Sequence, residues 1–560
     1  MKNKFIASIL AASLLVGSIG CKKFLNINQD PANPQNPSNG SIFPAMLASI
    51  HRGVQYDARY LGKYIQYWLS TSANDNYDRH GWTGASDASG DIWRQTYYGL
   101  GKNLDYIIKQ GIDKGELDYA AAGYALKAYM FQICADYHGD IIFSQAFDET
   151  RAYFDYDSQD ATYRGVDSLC RLAISYADQA MSKKNNMSTS DFVYAGSMAK
   201  WKKFAYGILA VQYNNLINKP DYKPDSVIKF ANLAMGSVDD DFVVPFDATK
   251  NDNTNFFGTY RNNIASFKQS NYLVKLLDGT TLGNRNGSVE GYYRDPRMKH
   301  LLVCSNDTTN GNGGFRGLDP SVGDPYNSLN APSSYAVGST NWINARKKVP
   351  VLWGDSLYAN PSASSFSTAA GKYLFHNKAV LPVMTYAQMQ FMVAEAAFRK
   401  GEKATAYQAY LNGINGHFDF INRSYSALRG NANLFTGAAI SATDRANYLA
   451  GPNVKQSDAA LTLTDIMGQK YIALFGWGWV ETWNDLRKYS YNEVLDGDTG
   501  EPVYKNFAYP ATFAVDNNNL PVQRVRPRYN SEYVWNIEAL RKVGALNYDY
   551  HTYKVWFSLP

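Results

Sequence analysis

The stretch from Thr385 to Ile414 constrains the fold more than any other part of the sequence. Thr385 with Gln388 three residues on makes a capping box, and Met384 with Met389 a hydrophobic staple, so a helix is expected to start here and run to about Arg399. Gly401-Glu402-Lys403 reads as a turn, and a second helix follows through Tyr410 to Ile414. With Gly401 at the turn, Ala394 falls where the first helix of a tetratricopeptide-type pair needs a small residue. Ala406, Tyr410 and Gly413 then match the small, aromatic, small spacing of the second. One such pair cannot bury its own face, so others must stack on it; Asp118 to Lys184 and Trp201 to Gly236 are the expected partners.

Periodicity of 3.6 residues supports those partners. Ala122, Leu126, Tyr129, Met130, Ile133 and Tyr137 share one helical face, as do Trp201, Phe204, Ala205, Ile208 and Leu216, and Ile92 to Ile108 reads likewise. Residues 239–377 change character: they are rich in Asn, Gly, Ser, Thr and Asp and lack long periodic helices. The expected architecture is therefore mainly α, with residues 45–238 and 378–560 as helical parts of a single body and 239–377 as an insertion of long loops and short strands. Structured loops on a rigid scaffold are where function concentrates.

The amino terminus reads as an export signal. Lys2 and Lys4 precede an apolar, uncharged run from Phe5 to Val16, then Gly17-Ser18-Ile19-Gly20 and Cys21. The run is too short for a membrane-spanning helix, which needs about 20 residues, and no later stretch reaches that length without charges. A cysteine directly after small residues matches a lipoprotein signal, so residues 1–20 are expected to be removed and Cys21 acylated with a lipid such as palmitate. Ser18 stands where such signals usually carry Leu, which keeps ordinary cleavage after Gly20 as the competing reading. Residues 21–44 carry Pro31, Pro34, Pro37 and Pro44 among Asn, Gln and Ser and read as an extended tether rather than a regular helix.

Charge and cysteine usage exclude several function classes. Removing residues 1–20 takes away two lysines and no acid, lowering the formal net charge from +5 to +3, and no dense basic run follows Lys22-Lys23, so no nucleic-acid partner is expected. Cys134, Cys170 and Cys304 remain, an odd number that argues against a disulfide framework; Cys134 and Cys170 lie within helical apolar patterns, as buried cysteines do. The seven histidines are scattered singly without HExxH, no GxSxG elbow or P-loop occurs, and Gly99-Leu100-Gly101 lacks the third glycine of a dinucleotide fingerprint. No cofactor is expected, with Asn251 to Asn255 as a weak candidate for oxygen ligation of a structural calcium. Asp155 with Asp157, or Asp239 to Asp241, could supply by composition the acid pair a glycosidase needs, but solvated loop acids or a helix cap are the preferred reading.

Several stretches together resemble one family. They are Cys21-Lys-Lys-Phe-Leu-Asn-Ile-Asn-Gln-Asp-Pro, Trp93-Arg-Gln-Thr-Tyr-Tyr, Asp136-Tyr137-His138-Gly139-Asp140, the Thr385 to Ile414 pair, Gln469-Lys470-Tyr471 through Trp483-Asn484-Asp485-Leu486-Arg487, and Arg526-Pro527-Arg528-Tyr529 before Glu532 and Asn536. Their order and spacing resemble the SusD/RagB nutrient-binding outer-membrane lipoproteins of Bacteroidetes, in the SusD-like branch. The resemblance implies a scaffold of tetratricopeptide-type helix pairs with a loop-rich ligand face, a lipidated amino terminus in the outer membrane facing the exterior, and a SusC-like TonB-dependent porin as partner. It implies a non-catalytic protein that captures a glycan or peptide for import. Asn530 stands where proline is usual and Lys488 where a second arginine is common; both motifs are read as structural, fixing the last helices.

No ligand residue transfers from the family, so physics nominates them. Sugars stack on flat aromatic faces flanked by Asn, Asp, Arg or Gln. The segment Asn74 to Trp82 offers that mixture most densely, making Asn76, Tyr77, His80 and Trp82 the first candidates and Trp342 and Trp353 the next. Each tryptophan could equally anchor a loop, whereas Trp201, Trp477, Trp479 and Trp483 sit in helical patterns and are expected in the core. Two alternatives stand against the binding reading: a helical-barrel glycoside hydrolase, and an outer-membrane β-barrel whose aromatic girdles would account for 43 Tyr, 27 Phe and 11 Trp.

Overall fold

The computed structural model of the chain describes residues 36–285, 294–307, 313–353, 372–428 and 439–560. The signal segment, Cys21 and most of the tether lie outside the described residues. Helices of ten residues or more carry the architecture: α1 (Asn39–Tyr64), α2 (Lys102–Lys114), α3 (Leu117–His138), α4 (Gln159–Ala180), α5 (Met198–Asn215), α6 (Pro224–Leu233), α7 (Tyr386–Lys400), α8 (Lys403–Leu428), α9 (Leu463–Leu474) and α10 (Trp479–Lys488). Four strands of three or four residues, β1 (Trp68–Ser70), β2 (Phe242–Val244), β3 (Phe267–Gln269) and β4 (Leu381–Met384), pair antiparallel as β1 with β3 and β2 with β4. A membrane-spanning strand needs about 9–11 residues, so the β-barrel alternative is overturned. Among the described residues no helix is long and apolar enough to cross a membrane.

The α7–α8 pair forms where its local signals place it. Thr385 accepts the Gln388 amide as N-cap, and Gly401 closes α7 with a left-handed backbone, φ 86°. Only half of the capping box is made, because the Gln388 side-chain oxygen has no partner among the described residues. Ala394, Ala406 and Tyr410 are fully buried, and a Cβ on Gly413 would sit 2.8 Å from the Phe391 ring. That close approach is what the small residues permit.

Neighbouring helices then stack in sequence, α2 on α3, α3 on α4, α4 on α5, α5 on α6, and α6 directly on α7. The helical run therefore crosses the loop-rich insertion without a break, because residues 239–377 leave the stack after α6 and return at β4. Helix α3 is buried almost all round rather than on the one face its periodicity suggested. It lies at the centre of the stack, touching α2, α4 and α5. Trp201, Trp477, Trp479 and Trp483 are core residues, Cys134 and Cys170 are buried free thiols, and Cys304 is buried. One expectation is corrected: helix α1 opens at Asn39, inside the segment read as extended, and carries Pro44 in its second turn. A proline there removes a single backbone bond, which the burial of Phe43, Met46 and Leu47 offsets.

Buried charge knits α7, α9 and α10 together and reaches the first helical part through Asn214 and the Asp136 carbonyl. Glu395 of α7 meets Lys488 at 3.2 Å and Lys470 at 3.3 Å, and both lysines also pair with Asp485, at 2.7 and 2.8 Å, all with side chains at most 4 % exposed. Asn214 and Tyr489 donate further hydrogen bonds to Glu395. Burial alone would push Glu395 up, but Lys488 and Lys470 hold it below the usual carboxylate range. Arg487 is likewise buried, donating to the carbonyls of Asp136 and Gln523, which ties the end of α3 to the C-terminal segment. The structural reading of Arg487 and Lys488 thus describes what they do.

Candidate functional site

Two short π-helical segments, Gln95–Gly101 and Tyr529–Tyr533, face each other across an open pocket of about 610 Å³. π-Turns are costly and recur at functional sites. Pockets of roughly 300–1,000 Å³ hold small ligands. The first segment contributes Tyr97 and Tyr98, preceded by Trp93 and Arg94; the second contributes Ser531 and Glu532, preceded by Arg528. Ile142, Ala146, Phe147 and Phe154, from the connection between α3 and α4, complete an apolar wall.

The rigid scaffold positions each part. Asp57 of α1, fully buried, accepts the amides of Asp91 and Ile92 at 3.1 and 2.7 Å and so caps the short helix Asp91–Arg94 that leads into the first π-segment. Tyr97 donates to the Ile142 carbonyl at 2.6 Å, and its ring lies 4.9 Å from that of Trp93. His138, the last residue of α3, meets Trp93 edge-on at 5.1 Å and bonds the Val525 carbonyl through Nδ1; burial lowers its pKa to about 3. A Cβ on Gly101 would fall 2.2 Å from the Phe147 ring, so the aromatic wall depends on glycine there.

Polar groups of the wall are unequally committed. Glu532 accepts from Tyr156 at 2.7 Å and Asn536 at 3.0 Å and is 5 % exposed. Arg528 pairs with Asp87 at 2.5 Å, and Asn530 donates to the same carboxylate. Tyr98 is 80 % exposed, with the Arg94 guanidinium 5.8 Å from its ring centre.

The nominated residues divide. Tyr77, His80 and Trp353 are buried: Tyr77 packs 4.6 Å from Tyr60, His80 accepts the Val522 amide, and Trp353 donates to the Phe257 carbonyl at 2.6 Å. A ring with no accessible face cannot stack on a ligand, so these three are loop anchors. Asn76 is half-buried within a loop that is polar because it staples itself: Asp75 accepts the amides of Tyr77 and Asp78 and pairs with Lys63 at 2.7 Å, while Arg79 donates to the carbonyls of Thr512 and Phe513. Trp342 lies not in a loop but in the short helix Thr340–Arg346, half-buried beneath the Arg346 guanidinium at 4.5 Å. Trp82 alone approaches the pocket: its ring is 6.4 Å from Tyr533, next to Glu532, with Arg526 over it at 4.8 Å.

The acid pairs turn out structural. Asp157 caps the amides of Phe143 and Ser144, Asp155 pairs with Lys542, Asp240 with Lys203, and Asp241 accepts the Tyr386 amide at the start of α7. In the proposed calcium segment Asn255 is buried, its side-chain oxygen accepting from Gln55 and the Phe257 amide.

A family model described as "Starch-binding associating with outer membrane", SusD-like, matches residues 31–510. The chain belongs to this family. The SusD-like fold is shared with solved structures across 93 % of the chain. A SusD/RagB family protein from Bacteroides thetaiotaomicron has 21 % identity and TM-score 0.64, with 99 % of its own chain covered. A chitin-binding SusD homologue from Flavobacterium johnsoniae has 18 % identity and TM-score 0.63, again with 99 % covered. A SusD homologue from Bacteroides fragilis has 16 % identity and TM-score 0.65 over 99 % of its chain. No functionally curated protein matches the sequence. Within this SusD-like chain, Trp93-Arg-Gln-Thr-Tyr-Tyr and Arg526-Pro527-Arg528-Tyr529, quoted for resemblance alone, turn out to flank the pocket; the second had been read only as structural.

Proposed function

We propose that this SusD-like protein is a non-catalytic lipoprotein, anchored through Cys21 to the outer membrane and facing the exterior, that captures an oligosaccharide and delivers it to a SusC-like TonB-dependent transporter. The observation that carries this reading is the aromatic pocket between the two π-segments, with Tyr98 exposed at its mouth. Such a surface suits the apolar face of a sugar ring. Family membership supports the outer-membrane setting, since the matching description names starch binding in association with the outer membrane.

A peptide ligand is supported less well. Peptides commonly add a strand to an open sheet edge, and the pocket walls are helical and loop segments without one. The hydrolase alternative needs two carboxylates about 5–10 Å apart, and the lining supplies Glu532 alone, already held by Tyr156 and Asn536.

The test is a calorimetric screen of purified protein against oligosaccharides and peptides, with product analysis after long incubation. Saturable binding of an intact oligosaccharide supports the proposal; release of shorter products, or binding confined to peptides, overturns it. The anchor is tested by palmitate labelling, which should vanish in Cys21→Ala, and the transporter by co-purification from membranes.

A further inference from the structure

The charged side chains along the pocket wall are unequally committed. Of its three charged side chains, Arg528 is neutralised by Asp87, and Glu532 is buried and bonded by Tyr156 and Asn536. Arg94 is exposed, among the described residues no carboxylate lies within ion-pair distance of its guanidinium, and the guanidinium lies 5.8 Å from the centre of the Tyr98 ring. Asp91, three residues earlier on the same short helix, attracts Arg94 at a distance but makes no ion pair with it. An arginine stacked on an exposed tyrosine is held with its planar fork presented outward, and that fork matches a carboxylate by two parallel hydrogen bonds.

Resting on the proposal that the pocket takes an oligosaccharide, we propose that the ligand is a uronate-bearing saccharide. Arg94 binds its carboxylate, and the sugar ring lies on Tyr98. Arg528 cannot take that role without losing Asp87, which also holds Asn530 and thereby the second π-segment. Arg94 therefore selects acidic over neutral glycans, while the aromatic wall contributes to both.

The experiment uses the full mature protein and matched acid and neutral oligosaccharides: tetragalacturonate with its carboxyl-reduced counterpart, and glucuronate-substituted with plain xylo-oligosaccharide. At least one acidic member should bind roughly tenfold or more tightly than its neutral partner, a ratio that one charge-assisted bond supplies. Arg94→Gln should abolish that preference by weakening the acidic member far more than the neutral one, and raising salt should weaken the acidic ligand more than the neutral. Equal affinity within both pairs, or an equal loss on both members in Arg94→Gln, overturns the inference while leaving saccharide capture intact. Failure of every saccharide alongside binding of a short peptide through Arg94 overturns the capture reading as well.

Discussion

The Glu395 cluster and the pocket wall place charge in opposite ways. Between α7, α9 and α10 every ion is buried and met by at least two partners, Glu395 by Lys470 and Lys488, and each lysine by Asp485 in turn. Along the pocket, Arg94 is exposed and unmatched while its neighbours are committed. Burying a charge costs several kcal/mol unless it is paired, so the cluster can exist only as a completed set. A binding surface works the other way: its groups stay unsatisfied until the ligand arrives, and the scaffold must hold them without consuming them.

The cluster offers the strongest way to break this contrast. Glu395→Gln keeps the shape but leaves Lys488 and Lys470 sharing Asp485, so it should cost about 3–5 kcal/mol in chemical denaturation. Saccharide affinity of the remaining folded fraction should be unchanged, because the cluster does not line the pocket. Loss of affinity at unchanged stability would show that the two regions are not separate.

His138 lies between the two regimes, buried behind Trp93. Its folded pKa of about 3 lies below the ordinary value of 6.5, so the unfolded chain binds the extra proton between those limits. Stability should therefore fall as pH drops from 6.5 toward 3, at a slope approaching about 1.4 kcal/mol per pH unit. Asp78 acts oppositely: burial raises it to about 7, so its contribution is present below 3.8 and lost as pH climbs through 7. The contribution of His138 is therefore read as a difference. Burial lowers the other six histidines in the same direction, so a His138→Gln protein should lose stability less steeply than wild type on the acid side, and denaturation midpoints that fall in parallel for both proteins would refute the assignment.

What was legible in the sequence was local. Thr385 and Gly401 act within a few residues of themselves, and Ala394, Ala406 and Gly413 act across the single turn that joins one helix pair. The pocket was not legible, because it joins residues 93–98, 142–154 and 528–532, which no periodicity connects, and π-segments have no simple sequence signature. The loop from Asn74 to Trp82 misled for a related reason. Asn, Asp and Arg that could bind hydroxyls are equally able to bond backbone: Asp75 takes the amides of its own loop, and Arg79 the carbonyls of Thr512 and Phe513. Composition records that capacity but not which partner takes it. Trp82 differs from its neighbours in that its ring lies 6.4 Å from that of Tyr533, in the second π-segment.

The smallest expected effect separates surface from scaffold most cleanly. Tyr98 is 80 % exposed, and its contact with the protein is the Arg94 guanidinium, so Tyr98→Ala should change stability by less than about 0.5 kcal/mol. If its ring is a stacking platform, the same change should weaken saccharide binding roughly two- to twelvefold, the equivalent of ~0.5–1.5 kcal/mol. Acidic ligands should suffer more than neutral ones, since removing the ring also frees Arg94 to move. Tyr98→Phe keeps the face and should retain nearly full affinity. Calorimetry on the three proteins decides the matter: an alanine variant that binds as wild type places the sugar elsewhere, and a phenylalanine variant as weak as alanine shows that the hydroxyl, not the face, makes the contact.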